Sequence, residues 1–229
     1  MNATTKHEQS SLDGMSTEQR NTGHMIARVS AVAVKLVFPL AAQNDIRYYL
    51  NGINIRPLDD GTVMVVASDG HRFIVVRDPH GYAEEEVIVR VDKDALKHAA
   101  SAKNTFDVMS NGAAMFSGEV AQPLFIQPGN SLVEGAFPRI ERVASTIGYR
   151  EGISGAVNPS YLADALAIAK SFGNSIRFFT RDNDSPLTFV LGGLGDLECF
   201  GGIMKRQESF DTLPGWFPLP GSISSLDDI

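Results

Sequence analysis

Ser68, Asp69, His71 and Arg72, packed into the five residues SDGHR, are the side chains of this 229-residue sequence most able to do chemistry. His71 with Asp69 would form a general acid–base pair, the imidazole exchanging the proton and the carboxylate orienting the ring. Nothing completes such a site. There is no nucleophile elbow and no G-x-x-x-x-G-K-[ST] phosphate loop, and GGLGDLE lacks G-x-G-x-x-G spacing between a strand and a helix, so its glycines are expected in a hairpin. Five scattered histidines show no metal-ligand spacing, and the single cysteine, Cys199, excludes an internal disulfide. No catalytic residue, metal or cofactor is therefore assigned, and a hydrolase using His71 is the least supported reading. The plainer expectation is that these polar groups cap one end of a sheet. A second set is cationic: Lys93 and Lys97 one helical turn apart, with Lys35 and Lys170 on other helical stretches. By themselves such surface lysines serve equally to keep helices solvated.

The elements that would position these residues can be read from periodicity. Between Asp45 and Arg77 three short strands are expected: Tyr48, Leu50 and Gly52 alternate with other residues, and TVMVVA and RFIVVR are β-branched runs. Asp60-Gly61 and Asp69-Gly70 supply hairpin turns. Helical spacing of Val29, Val32, Leu36 and Leu40 predicts a first helix from Ile26 to Ala42, ended near Phe38 by Pro39. A second is expected over DKDALKHAASAKN, with Asp92 as N-cap and Leu96, Ala99, Ala100 and Lys103 on one stripe. The third has Asn158 as N-cap, Pro159 at its first position, Leu162, Ala165, Leu166 and Ala169 inward, and Gly173 beyond its end. Strands follow each helix: TFDVM, AAMFSG and PLFIQ around Asn111-Gly112, then SIRFFT, LTFVLGG and LECFGG. The unit of one helix plus antiparallel strands thus recurs three times with a period of roughly 65 residues. Arg47 and Tyr48 are expected to pack and pair locally.

With 43% hydrophobic residues the chain can bury one or two cores, and no stretch resembles a transmembrane segment. The polar start is neither a signal peptide nor a transit peptide, which makes the cytoplasm the expected compartment. Residues 1–23 lack apolar periodicity and are expected to be disordered. Residues 207–229, rich in Pro and Gly, suit an extended tail, yet Phe210, Leu213, Trp216, Phe217 and Leu219 are unusual for a solvated one. The net charge of -7 argues against nucleic-acid binding by the whole surface, while leaving room for a basic face.

RYYLNG followed by ASDGHRFIVV resembles the signature of the bacterial DNA polymerase III beta subunit, the sliding clamp. EGAFPRIERV, Glu134 to Val143, resembles the segment between that family's second and third domains, and NPSYLADALAIAK with SIRFFT resembles the last helix and following strand of its third. The resemblance covers roughly residues 24–206 and implies an α+β DNA clamp fold of about one and a half domains, helices inside and sheets outside. The implied parts are a complete clamp-like domain over 24–133, an interdomain segment over 134–143, a half domain over 144–206, and the tail. It also implies a cleft in which partner proteins insert a short peptide carrying a Gln and apolar anchors. Leu50, Ser68, Gly70, His71, Arg72, Phe73, Pro138, Arg142 and Val143 match it, with Met204, Phe200 and Ile203 on a wall where Gly201 and Gly202 depart from the family's apolar run. Lys35, Lys93, Lys97 and Lys170 would face duplex DNA. The implied role is non-enzymatic: a replication or repair processivity factor tethering a polymerase, and served by a clamp loader, through Gln/Leu-containing peptides. The alternative is a monomeric adaptor or decoy that captures such peptides without encircling DNA. Because a lone third unit would bare the inner face of SIRFFT and LTFVLGG, a homo-oligomer, dimer or tetramer, is expected, or else a tail folded back over that surface.

Overall fold

The β-branched runs form the centre of the larger of two antiparallel sheets. The computed structural model describes residues 23–206 apart from 145–147, 149, 154 and 183, so the expectations for the N-terminal tail and for residues 207–229 lie outside the described residues. In chain order the strands are β1 (Met25–Ser30), β2 (Ile53–Pro57), β3 (Val63–Ser68), β4 (Arg72–Asp78), β5 (Tyr82–Ala83), β6 (Val87–Val89) and β7 (Thr105–Met109). They continue as β8 (Ala114–Ser117), β9 (Pro123–Gln127), β10 (Arg150–Glu151), β11 (Ile176–Thr180), β12 (Leu187–Leu191) and β13 (Glu198–Ile203). The α-helices are α1 (Ala31–Val37) and α2 (Pro159–Ser171). The smaller sheet runs β5-β1-β7-β8-β9, and the larger β10-β11-β12-β13-β4-β3-β2-β6. Gly61, Gly70 and Gly112 turn their hairpins with φ near +80°, a backbone region only glycine enters without cost.

Several elements differ from their sequence pattern. The helix expected from Ile26 to Ala42 is a strand followed by a short helix. Residues 25–30 are taken by β7, with Val29 opposite Phe106, and the helical spacing merely runs across the junction at Ala31. The strand expected at Tyr48–Leu50 is a 3-10 turn. Asn51 accepts the Asp45 amide through its side-chain oxygen and donates to the Asp45 carbonyl, tying off the loop before β2 starts at Ile53. The second helical stretch is 3-10 over Lys93–Ala100, interrupted at Ala99, with the Asp92 carboxylate accepting from the Asp94 amide as its cap. Lys103 lies beyond it, exposed and paired with Glu119, and Ala100 is exposed. α2 has its expected cap, the Asn158 side chain accepting from the Ser160 amide, but its buried stripe runs through Ala165, Ile168 and Ala169 while Leu166 is exposed.

The main core lies on one face of the larger sheet. Val65, Ile74, Val76, Phe189, Leu191 and Ile203 meet α1, α2 and the 93–100 segment there. The helical pieces lie side by side, α1 against the 93–100 segment and α2 against the Phe38–Leu40 turn. The inner face of the third unit is therefore covered within the chain, Phe189 and Leu191 being buried, and β13 pairs with β4 from Arg72↔Ile203 to Arg77↔Glu198. This removes the exposure from which pairing of half-domains was expected. On the opposite face a second cluster joins Leu50, Val66, Phe73, Val75 and Ile88 to Phe137 and Ile140.

Cys199 sits in the main core, and burial pushes its thiol up to about 12. A thiolate-specific reagent at pH 8 should therefore label no native chain and one thiol per unfolded chain. Labelling at the rate of a free thiol under native conditions would contradict this packing.

Candidate functional site

The end of the β3–β4 hairpin brings together most of the residues singled out by motif. Asp69 accepts from the backbone amides of His71 and Arg72 at 2.9 and 3.0 Å and from Arg72 Nε at 2.9 Å. Its carboxylate thus caps the turn, the plainer of the two roles weighed for it. Ser68 Oγ accepts from the Gly70 amide and donates to the Arg72 carbonyl, closing the same turn. Arg47 forms a bidentate pair with Asp45 and donates to the Asp69 carbonyl at 3.0 Å. The hydrogen bonds from the Arg47 side chain and amide hold the Asp45 carboxyl down to about 2. Its guanidinium lies so close over Gly70 that a Cβ there would collide with it. Arg47 and Tyr48 pack locally, as their sequence context suggests.

His71 and Arg72 face α2. The His71 ring stacks on Tyr161 with centroids 6.1 Å apart, and the Arg72 guanidinium stands 4.6 Å from the Tyr161 centroid. Arg72 also pairs with Asp69 and Asp164. Burial acts to lower its pKa, but the hydrogen bonds it donates to Asp164 and Asp69 outweigh burial and leave it above the ordinary arginine value. The Met204 amide donates to the His71 carbonyl at 2.8 Å, fixing the last strand to the turn. Beside it His71, Asn158, Tyr161, Met204, Lys205 and Arg206 line a small cavity of about 260 Å³.

The apolar residues divide by exposure. Leu50 and Phe73 are buried, at 1% and 2% exposed, beneath Phe137 and Ile140 of a strap formed by residues 133–144. The Phe73 ring meets Phe200 edge-on at 6.2 Å and lies over Gly202, filling the space a Cβ would occupy. On the same strap Pro138, Arg142 and Val143 are exposed, the last at 41%. Sequence patterning missed what surrounds them: Phe137, Ile140 and Tyr161, whose signal was an aromatic or apolar residue beside a motif position. Glu141 of the strap reaches Arg56 on β2, and Arg139 reaches Glu86, so the strap is clamped by charge as well as by burial.

The lysines lie on the helical side. Lys93, Lys97 and Lys170 are exposed, and the Lys35 ammonium stands 5.3 Å over the Phe172 ring, between α1 and the end of α2. Among the described residues no cluster of His, Cys, Asp and Glu suits a metal ion, and no helix is long and apolar enough to cross a membrane.

No family model and no curated protein matches the sequence. Solved structures do match the fold. The DNA polymerase III subunit beta from Pseudomonas aeruginosa superposes with a TM-score of 0.59 at 18% identity, over 85% of this chain and 70% of that one. The beta subunit from Thermotoga maritima gives 0.55 at 15%, over 80% and 66%. The Helicobacter pylori beta clamp bound to diflunisal gives 0.58 at 14%, over 81% and 66%. The chain has the sliding-clamp fold and spans about two thirds of the length of these clamps.

Proposed function

We propose that this chain is a sliding-clamp-like, non-enzymatic factor for DNA replication or repair, which holds partner proteins on duplex DNA in the cytoplasm. The observation that carries the reading is the division of the larger sheet. One face bears helical segments with Lys35, Lys93, Lys97 and Lys170, and the other bears a strap that presses Phe137 and Ile140 over Leu50 and Phe73 and leaves Pro138, Arg142 and Val143 exposed. Non-specific phosphate contact needs no more than cations on a smooth helical surface. A peptide needs an apolar anchor with an adjacent cation, which Val143 and Arg142 supply at the surface, backed by Leu50, Phe73 and Met204. Arg72 and Ser68 in this reading hold the wall, since the Ser68 hydroxyl is engaged within the turn and the Arg72 guanidinium by Asp69 of the turn and Asp164 of α2. Polymerase and loader would dock by short Gln/Leu-containing peptides. Encircling DNA requires further copies of the chain, which would join at the end strands β9 and β10, unpaired on one side among the described residues.

Loading on nicked circular DNA followed by linearisation tests the whole reading. A sliding ring is retained on the circle and lost from the ends, whereas a chain that never loads is a peptide-capturing adaptor. Two double substitutions test its parts. Arg142→Ala with Val143→Glu should weaken a Gln/Leu peptide by about 2 kcal/mol or more, because binding energy concentrates in few anchors. Unchanged affinity by calorimetry removes the cleft. Lys93→Glu with Lys97→Glu should flatten the log–log salt slope of DNA association by roughly 2 while sparing peptide affinity. An unmoved slope would place those lysines away from DNA.

A further inference from the structure

The strap over residues 133–144 rests on the larger sheet without joining it. Val133 gives the last backbone tie, its amide donating to the Ile88 carbonyl at 2.8 Å. From Glu134 to Ala144 the backbone hydrogen bonds among the described residues stay inside the strap, donated by Arg142, Val143 and Ala144 to the carbonyls of Arg139 and Ile140. Gly135, at φ +134°, bends the chain just after that tie. The surface under the strap is partly polar. On β2 the residues that alternate away from the main core are Asn54 and Arg56, opposite Val66 and Met64 in register. Asn54, 2% exposed, donates to Glu86, which Arg139 of the strap reaches at 2.9 Å, and Arg56 pairs with Glu141 of the strap. Apolar residues at 54 and 56 would seal the face more firmly, because exchanging buried ion pairs for apolar packing often stabilises a fold. Instead the strap is held by two ion pairs whose outer members, Arg139 and Glu141, are 48% and 56% exposed. Pairs of that kind are weak and sensitive to salt. Phe137 and Ile140 thus sit on Leu50 and Phe73 as the apolar anchors of a docked peptide would.

Building on the peptide-capture reading, we propose that the strap is a displaceable lid. It occupies the apolar face until an anchor of the partner peptide takes the place of Phe137 or Ile140 on Leu50 and Phe73. The Arg56–Glu141 and Arg139–Glu86 pairs set how often the lid is open, while Arg142 and Val143 stand at its rim, where an incoming peptide first meets the strap. Apparent affinity for the peptide is then the intrinsic affinity reduced by the open fraction. The lid also gives a reason for the burial of Leu50 and Phe73, residues that a partner cannot touch while the strap is closed.

A cysteine placed under the strap reads its opening. In the full chain carrying Val66→Cys, the new thiol should react at least about ten times faster than Cys199 of the main core, because local opening takes less free energy than global unfolding. Ile88→Cys, on β6 at the border of the same face, gives a second position if Val66→Cys disturbs the sheet. Adding Arg139→Ala with Glu141→Ala should raise labelling several-fold and tighten binding of a short synthetic Gln/Leu peptide by a matching factor, with Cys199 still protected. Saturating peptide should slow the labelling. Lys103→Ala, which breaks an exposed pair with Glu119 elsewhere, should change neither measurement. Three results overturn the lid: labelling of the new thiol only in step with Cys199, labelling indifferent to the strap's charges, or peptide affinity that does not follow the labelling. A strap that opens as described while no variant binds the peptide removes the capture reading itself, and the competition with it.

Discussion

Gly201→Ala should destabilise the protein by about 3 kcal/mol, seen as a large fall in the urea midpoint, although alanine ordinarily suits a strand better than glycine. The reason is contact. A Cβ at Gly201 would stand 2.6 Å from the Phe73 carbonyl oxygen and collide with the Phe189 ring, which is wholly buried. A carbonyl within a paired strand cannot step aside without breaking the β4–β13 ladder. Gly202→Ala should cost less, because its new Cβ meets only the Phe73 ring at 2.5 Å and Pro186 at 3.3 Å. A smaller side chain at position 73 should relieve Gly202→Ala and leave Gly201→Ala unrelieved. Equal costs for the two substitutions, or rescue of both by Phe73→Leu, would show that the strands do not approach as described. The glycine pair that departs from the clamp family's apolar run thus has a reason within this chain: it admits the aromatic rings of Phe73 and Phe189.

Arg72→Ala should destabilise by about 2 kcal/mol and release α2 from the hairpin turn. Its guanidinium holds Asp69, Asp164 and the Tyr161 ring at once, and its side chain is only 13% exposed. Removing the cation leaves the Asp69 carboxylate with only the two backbone amides of the turn as donors, and that loss dominates. The Asp164 contribution is smaller, because that carboxylate is 49% exposed and solvent screens it. Arg72→Lys should recover little, since an ammonium cannot serve two carboxylates and a ring in fixed directions. Hydrogen exchange of the α2 amides reads the effect directly: protection should fall across Tyr161–Ala165 while β7 and β8 keep theirs. Uniform loss would mean global unfolding rather than release of one helix.

The parts of the fold legible in the sequence were those governed by local chemistry. Asn158-Pro159, the turn glycines and the β-branched runs each specify their geometry through a few neighbouring atoms. What escaped was decided by distant partners. Met25–Ser30 has an apolar spacing compatible with a helix, and only the presence of Thr105–Met109 beside it makes it a strand. Leu166 and Ile168 are equally apolar, and which of them is buried depends on how α2 settles on the sheet. For the candidate site, the motif residues were legible as a cluster but their division of labour was not. Nothing local distinguishes Phe73, sealed under the strap, from Val143, standing on it, or Arg72, engaged by α2, from the exposed Arg142.

The pairing of β4 with β13 also bears on how the chain is made. Arg77 and Glu198 are neighbours in the sheet yet 121 residues apart in sequence, so the larger sheet has high contact order and its closure comes late. At ribosomal rates of about 5–20 residues per second, on the order of ten seconds separates the emergence of these strands. During that interval the edge of β4 is open to any passing strand, and the ring of Phe73 has no glycine to lie against. Slow closure of this seam should then limit the yield of folded chain more than final stability does, so that destabilising the seam is expected to show first as aggregation during synthesis.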